Sequence, residues 1–589
     1  MPDLVQFFIR PIDVFFKNFY SSVSQLFKMI TSSSSLNRKL SSEQLLYRKR
    51  DLINVTLASQ GIVVGSRRDQ GKQHQQQGHH GQQQRSGEVL VSNDDSEELE
   101  KADGSGSGLS GFCYSCFGKD TSRNSSSEKK IPQFISFKNV LHVETLGSEE
   151  NHEVTLTFVT PNHEDYIKKA SKLTIHNIKV QVQNYDPQKH SHDTVANYIL
   201  NKAYHYKVLQ QPSVLVLINP HGGQGHAVKI YNDDIKPILR AARCNITYQE
   251  TNYSGHATDI ARDLNIDEYD VILCCSGDGI PHEVINGFYQ RRDNGVAAFN
   301  KLIISQLPCG SGNALTLSTL GGSGEAQIAT WLMLKSKPSK LDLMTVTQGT
   351  GDKQVTKLSF LSQCYGIVAD SDIGTEHLRW LGAIRFELGV MQKVFTFAKY
   401  PCDLYVEAWT KDKSLIAKHV ESHLANSSNG NNNNELRVVT KEDLQLRQPS
   451  LDEPVPSHWK TVPQSITDKL NVFYVGNMPY VSADAQFFPA ALPDDGHMDM
   501  VITDTNASIL NIVQIMLNVE KGTHVNDENV IHAKVKSYRL VPKLPNPDHH
   551  YISVDGESFP VEALQVEVLP SIMTGLLYDG KFTETVLTE

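Results

Sequence analysis

Val271-Ile272-Leu273-Cys274-Cys275-Ser276-Gly277-Asp278-Gly279-Ile280-Pro281-His282-Glu283 is the stretch on which the fold turns. Five apolar residues run without a polar interruption, as a parallel strand buried on both faces requires. A Gly-Asp-Gly turn follows. Pro281 suits the first turn of a helix, and Glu283 is favourable near the same end. The pattern of strand, glycine turn and helix occurs twice more. Val214–Ile218 leads into Asn219-Pro220-His221-Gly222-Gly223-Gln224-Gly225, and Leu302–Leu307 leads into Pro308-Cys309-Gly310-Ser311-Gly312-Asn313-Ala314. Such alternation marks a doubly wound α/β domain, in which ligands bind at the carboxyl ends of the strands. Glycine there lets backbone N–H groups approach phosphate oxygens, and the next helix points its positive end at them. One glycine turn alone is an ordinary tight turn; three within residues 208–345 point to a nucleotide-binding domain. Gly225 is followed by His226 and Ala227 instead of Lys and Ser/Thr, which excludes a Walker-type P-loop.

Outward from this block the composition changes. Residues 1–130 are read as largely disordered, with a Ser run at Ser32–Ser35, a Gln/His/Gly tract from Gln73 to Gln84 and an acidic patch from Asp94 to Glu100. Such sequence buries too little apolar surface to offset chain ordering. Within it, residues 3–30 are aromatic-rich and fit either an interfacial amphipathic helix or a short helix docked on the protein itself. Residues 131–207 alternate at the strand period in Phe134–Phe137, Val154–Phe158 and Ile178–Val182. They form a small β-rich module, read either as a lipid- or partner-binding unit or as an extension of the catalytic core. Residues 346–589 carry further strand-like runs at Lys357–Ser362, Asp403–Trp409, Leu470–Val475, Met498–Thr503 and Gln565–Leu569, and are read as an antiparallel β-rich sandwich domain. A polar segment, 421–465, interrupts it and is read as a disordered insertion.

The chain has 589 residues, a formal net charge of -10 and eight cysteines. An acidic chain lacks the basic surface that nucleic-acid binding needs. The cysteines show no disulfide-framework spacing, which fits a reducing compartment. No apolar run reaches the roughly 18–20 residues of a membrane-spanning helix. The N-terminus lacks the pattern of a signal peptide.

The motif Ser-Gly-Asp-Gly-x-x-x-Glu-Val-x-Asn-Gly, Ser276 to Gly287, resembles the sphingosine-kinase branch of the diacylglycerol-kinase catalytic superfamily, and its Gly-Asp-Gly-Ile-Pro is similar to the fungal long-chain-base kinases. The resemblance spans roughly 210–410 and 470–580. Ala369-Asp370-Ser371-Asp372, Arg379 to Phe386, and Val554-Asp555-Gly556-Glu557 extend it in family order. It implies an ATP-dependent lipid kinase that phosphorylates the primary hydroxyl of sphingosine, dihydrosphingosine or phytosphingosine.

The resemblance also assigns roles. Asn219, Pro220, His221, Thr251, Asn252, Tyr253, Ser254, Gly255, Gly310, Ser311 and Gly312 are implied to contact nucleotide. Arg379 and Arg385 are implied to clamp phosphate. Asp555, Gly556 and Glu557 would form a loop near the triphosphate, with Asp555 within reach of Mg²⁺. Ser276, Gly277, Asp278 and Gly279 would meet the substrate hydroxyl, with Asp278 as base, and Asp372 would hold the sphingoid ammonium. Taken singly, a Gly-Asp-Gly turn also serves structure alone, and the two arginines also fit surface charges; their joint order carries the reading.

Cys113 and Cys116, in Cys113-Tyr114-Ser115-Cys116, fit a doubly acylated anchor made by a protein acyltransferase, or else two free thiols in a tail. The anchored reading places the protein peripherally on the cytoplasmic face of membranes (Golgi, endoplasmic reticulum, endosome or plasma membrane), with a cytoplasmic pool. The rivals are a ceramide or diacylglycerol kinase, whose substrates lack a free amine, and a catalytically inactive, membrane-recruited binding module.

Overall fold

A computed structural model describes residues 52–65, 131–148, 151–166, 171–190, 194–223, 225–375, 389–390, 392–394, 396, 398–428 and 436–588. Strand side chains alternate between faces, and here both faces are covered. Leu215, Leu217, Ile272, Cys274 and Ile304 point one way, onto Ala257, Ala261, Val284 and Phe288. Val214, Val216, Ile218, Leu273, Cys275 and Leu307 point the other way, onto Tyr231, Ile235, Leu239 and Trp331. Each buried aliphatic or aromatic side chain contributes about 1.5–3 kcal/mol relative to exposure, so these runs hold without polar anchors. The four parallel strands lie in the order Asn245–Glu250, Ser213–Ile218, Val271–Ser276, Ile303–Pro308. Strand order therefore reverses between Ser213–Ile218 and Val271–Ser276. The first two glycine turns leave the carboxyl ends of these two strands, at the crevice where open α/β sheets bind ligands.

The β-rich half continues the same sheet. The Ile303–Pro308 strand pairs in parallel with Leu564–Leu577 through Ile304 and Gly575. That strand also pairs antiparallel with Lys337–Gln348 along almost its whole length, and with Ile531–Pro542. Cys402–Thr410, Met498–Asp504, Leu470–Gly476, Ser362–Gly366 and the hairpin Ile552–Val554/Glu557–Phe559 complete the path. Four of the five strand-like runs read from the sequence fall on observed strands, and Lys357–Ser362 instead crosses the bend between Val355–Ser359 and Ser362–Gly366. The expected division at 345/346 instead cuts through Lys337–Gln348, because that strand belongs to both halves.

Two stretches differ from their sequence reading. Within 1–130, Ile53–Ala58 and Gly61–Val64 are strands of the N-terminal six-stranded sheet. Ile53 pairs with Val180, and so distant a partner leaves no local compositional trace. In the 421–465 segment the described residues are packed. The helix Lys413–Ser428 runs into it, and Leu424 is partly buried against Ile416, Val420, Ala490 and Leu492. Val439 and Leu444 join the α/β core, Asn300 bonds both backbone groups of Val439 at 2.8 Å, and Lys460–Thr461 pairs with Tyr405 and Val406. A few apolar anchors hold a segment whose composition is otherwise loop-like.

The N-terminal module is docked on the helix Ala326–Leu334. Trp331 Nε1 donates to Lys138 O at 3.0 Å, and Lys335 Nζ donates to Val140 O at 2.6 Å and Ala203 O at 3.1 Å while lying 3.5 Å above the Tyr204 ring. These contacts fit an extension of the core. Among the described residues no helix is long and apolar enough to cross a membrane. Residues 3–30, Cys113 and Cys116 lie outside the described residues.

Trp331→Ala should remove about 3–5 kcal/mol and make the module the first part cut in limited proteolysis; an unchanged thermal midpoint and cleavage pattern would contradict this docking.

Candidate active site

The three glycine turns are packed backbone to backbone. A Cβ on Gly310 would run into Gly277, one on Gly277 would meet Gly312 O at 3.0 Å, and one on Gly223 would meet Gly310 at 3.3 Å. Glycine is required here because the loops touch. Asn219 Oδ1 accepts from His221 N at 3.0 Å, and Asn313 closes the third turn through Gly310 N and O. The Thr251–Gly255 segment is tied to the second turn by Glu283, whose carboxylate accepts from Gly255 N at 3.0 Å and Ala257 N at 2.9 Å. Glu283 therefore caps the neighbouring helix His256–Asp263. Tyr253 is exposed and stacked on His256, with 4.5 Å between centroids.

Two residues of the second motif serve packing. A Cβ on Gly287 would collide with Thr258 O and Ala261 of the adjacent helix. Asn286 accepts from Leu358 N and donates to Leu358 O, both at 2.9 Å, stapling the helix Gly279–Tyr289 to the strand Val355–Ser359.

Asp278 stands between the Val271–Ser276 strand and the Gly279–Tyr289 helix. Its Oδ1 accepts from Gln306 Nε2 at 3.0 Å and Ala314 N at 2.9 Å; Oδ2 has a longer contact to Ala314 N, at 3.2 Å, and Leu315 N is a further backbone donor to the carboxylate. Burial raises its pKa to about 6, against the pull of these hydrogen bonds. Gly312 gives Oδ2 its clearance, since a Cβ there would come within 2.7 Å of it. Ser276 is buried and spends its hydroxyl on Gly277 O. Beside Gly279 lies the exposed carboxylate of Glu557, 3.2 Å from where a Cβ would be.

Asp555 departs from the expectation that it faces Mg²⁺. Val554 pairs with Glu557, leaving Asp555 and Gly556 as a two-residue hairpin turn with φ of +52° and +85°, the form that Asp-Gly favours. The Asp555 carboxylate points inward. Oδ1 accepts from Ser359 Oγ, Leu361 N and Ser362 N at 2.6, 3.0 and 2.9 Å; Oδ2 accepts from Phe360 N at 3.1 Å and His282 Nδ1 at 2.8 Å. A carboxylate offers about four lone-pair sites, so five donors leave no position for a cation. Another grouping, His419, Asp495 and His497, has ligand-like spacing, but Lys534 Nζ already holds Asp495 Oδ2 at 3.1 Å.

Asp370 and Asp372 end the helix Ile367–Asp372. Asp370 is a structural anchor, bonded to Lys393, Tyr400, His550 and Tyr551 N. Asp372 lies near Tyr474. Burial first, then Cys364, and then the charges of Asp372 and Asp278 push the Tyr474 hydroxyl up. Tyr474 belongs to an apolar cluster with Phe488, Ala491, Val501, Ile515 and Val525. Arg379 and Arg385 lie outside the described residues. Sequence reasoning missed Gln306, His282 and Tyr474. An Asp-Gly between strands marked the Asp555 turn, whereas nothing in the sequence marks Gln306.

Residues 213–346 match the diacylglycerol kinase catalytic domain, and 463–577 match the YegS C-terminal NAD kinase beta sandwich-like domain. The chain is 39% identical to sphingoid long chain base kinase 5 of Saccharomyces cerevisiae, over 73% of this chain and 68% of that one. The chain belongs to the sphingoid long-chain-base kinases. Sphingoid long chain base kinase 4 of Schizosaccharomyces pombe is 32% identical over 76% of this chain and 89% of its own. Human sphingosine kinase 1 is 29% identical over 62% and 91%. Kinase chemistry requires a phosphoryl donor, ATP for this family, and the touching glycine turns fit a triphosphate, since they bring backbone to the crevice with no side chain in the way.

Asp555→Ala should strip the partner from several buried donors, at about 1–3 kcal/mol for each left unpaired. Activity and thermal midpoint should fall together. A stable variant with weakened ATP binding alone would restore the nucleotide role.

Proposed function

We propose that this kinase transfers the γ-phosphoryl group of ATP to the primary hydroxyl of a sphingoid long-chain base, with Asp278 as base and Asp372 holding the ammonium. The observation that supports this most is the state of Asp278: a carboxylate at the strand-order reversal, pinned through one oxygen, with its pKa raised to about 6. Such a group is ionised at neutral pH yet more basic than an ordinary Asp. The hydroxyl oxygen forms the new P–O bond, the bond to ADP breaks, and the proton passes to Asp278 Oδ2. Bound ATP supplies the phosphoryl group, with Mg²⁺ as its counter-ion. The glycine-turn N–H groups, with Arg379 and Arg385, take up charge on the phosphoryl oxygens.

Asp278→Asn should lower turnover by about 10²–10⁴-fold with nucleotide binding kept. In the wild type, turnover should rise with pH through about 6, since protonation of Asp278 removes the base. A flat profile across that range, or a fully active variant, rules Asp278 out of the role.

For Asp372, an ammonium and a carboxylate about 4 Å apart attract by roughly 4 kcal/mol at an effective dielectric near 20. Desolvation offsets part of this. Asp372→Asn should therefore weaken long-chain-base use about 10- to 100-fold and leave the KM for ATP unchanged. Equal use of ceramide or diacylglycerol by the wild type would favour the amine-free rivals.

The same reading places the chain on the cytoplasmic face of a membrane through acylation of Cys113 and Cys116. A single acyl chain gives only marginal binding. Replacing both cysteines with serine should shift the protein to the soluble fraction while activity on detergent-dispersed substrate persists. Unchanged sedimentation with membranes would assign anchoring to residues 3–30 or the N-terminal module.

A further inference from the structure

Gln306 is a polar side chain in the middle of a buried strand, 1% exposed. Its carboxamide is clamped from one end. Thr316 N donates to Oε1 at 3.0 Å, and a backbone N–H can only donate, so the atom facing it must be the amide oxygen. Thr316 Oγ1 lies 3.1 Å from the same oxygen and 2.9 Å from Gln306 O. Thr316 is itself fully buried. The amide nitrogen is thereby turned toward Asp278, where it donates to Oδ1 at 3.0 Å.

We infer that Gln306, oriented by Thr316, is a positioning residue that holds Asp278 ionised and leaves Oδ2 as the oxygen that takes the proton. This rests on the assignment of Asp278 as base. The geometry separates the two oxygens. Oδ1 carries the short contacts to Gln306 Nε2 and Ala314 N, while Oδ2 has the longer 3.2 Å contact to Ala314 N and faces the space that Gly312 leaves; Leu315 N adds a further backbone donor to the carboxylate. An N–H donor favours the charged form of its acceptor and opposes the burial of the carboxylate. Without Gln306 the buried group would retain a proton at higher pH and be idle as a base. The residue touches neither substrate nor nucleotide in this assignment; it acts only through Asp278.

The test compares pH profiles of kcat and kcat/KM for a long-chain base. Gln306→Met keeps length and apolar volume but removes the donor. The acid limb should move upward by about one pH unit, with the KM for ATP unchanged. Thr316→Val keeps the backbone N–H but removes the hydroxyl, and should move the limb in the same direction by less. ATP has a phosphate ionisation in the same region, with a pKa of about 6, but it would not respond to either substitution. An unmoved acid limb in Gln306→Met overturns the proposal. If that variant does not fold, an unmoved limb in Thr316→Val overturns it instead. Asp278→Asn separates the two levels of the argument. Wild-type turnover in that variant overturns the base assignment itself, whereas loss of turnover combined with unmoved limbs removes only the role of Gln306.

Discussion

A carboxylate buried without solvent must find donors, and Asp555 finds five. Its hairpin turn lies near the end of the β-rich half, yet it gathers the backbone of Phe360, Leu361 and Ser362, the hydroxyl of Ser359 and the imidazole of His282. His282 stands one turn into the helix that begins immediately after Asp278. The same helix is stapled to the Val355–Ser359 strand by Asn286 and pressed against its neighbour at Gly287. Asp278 is thereby held by the β-rich half as firmly as by its own strand. That knot adds a side-chain tie between the glycine turns and the β-rich half to the sheet that already joins them.

The two aspartates that the motif order brings to mind as metal or proton carriers divide their labour by environment. Asp555 is saturated with donors and carries structure. Asp278, half-buried, has fewer donors, so desolvation outweighs its hydrogen bonds and its pKa settles at about 6. Asp370 is a second anchor like Asp555, enclosed by Lys393, Tyr400, His550 and Tyr551. Placement of hydrogen-bond donors, more than residue type, separates anchors from reactive groups.

The parallel strands, the glycine turns and the position of Asp278 were legible in the sequence because each is a local pattern: an apolar run, a turn and a helix start. Four antiparallel strands were legible for the same reason, while Ile531–Pro542 and Ser362–Gly366 were not. What was hidden depends on distant pairing. Ile53–Ala58 looks like part of a polar tail because its partner lies beyond Asn177, and residues 436–465 look like a loop because Val439, Leu444 and Trp459 are too few to set a period. Gln306 was hidden inside an apolar run, where one polar residue reads as noise until its partners are seen. Asp555 was misplaced because a motif near the C-terminus says which residues matter without saying which way a carboxylate points.

The strand Leu564–Leu577 borders both halves: it is the parallel neighbour of Ile303–Pro308 and the antiparallel neighbour of Lys337–Gln348 and Ile531–Pro542. Among the described residues it is also the last strand in chain order. Until it emerges, the Ile303–Pro308 edge has no partner on that side, and the pairing of Ile304 with Gly575 must wait for all the intervening chain. At about 5–20 residues per second, that leaves a catalytic sheet with an open, apolar edge for tens of seconds during each synthesis, a liability of the kind that invites pairing with other chains. The catalytic sheet is therefore closed by chain made long after its own strands, and its parallel edge waits on the β-rich half.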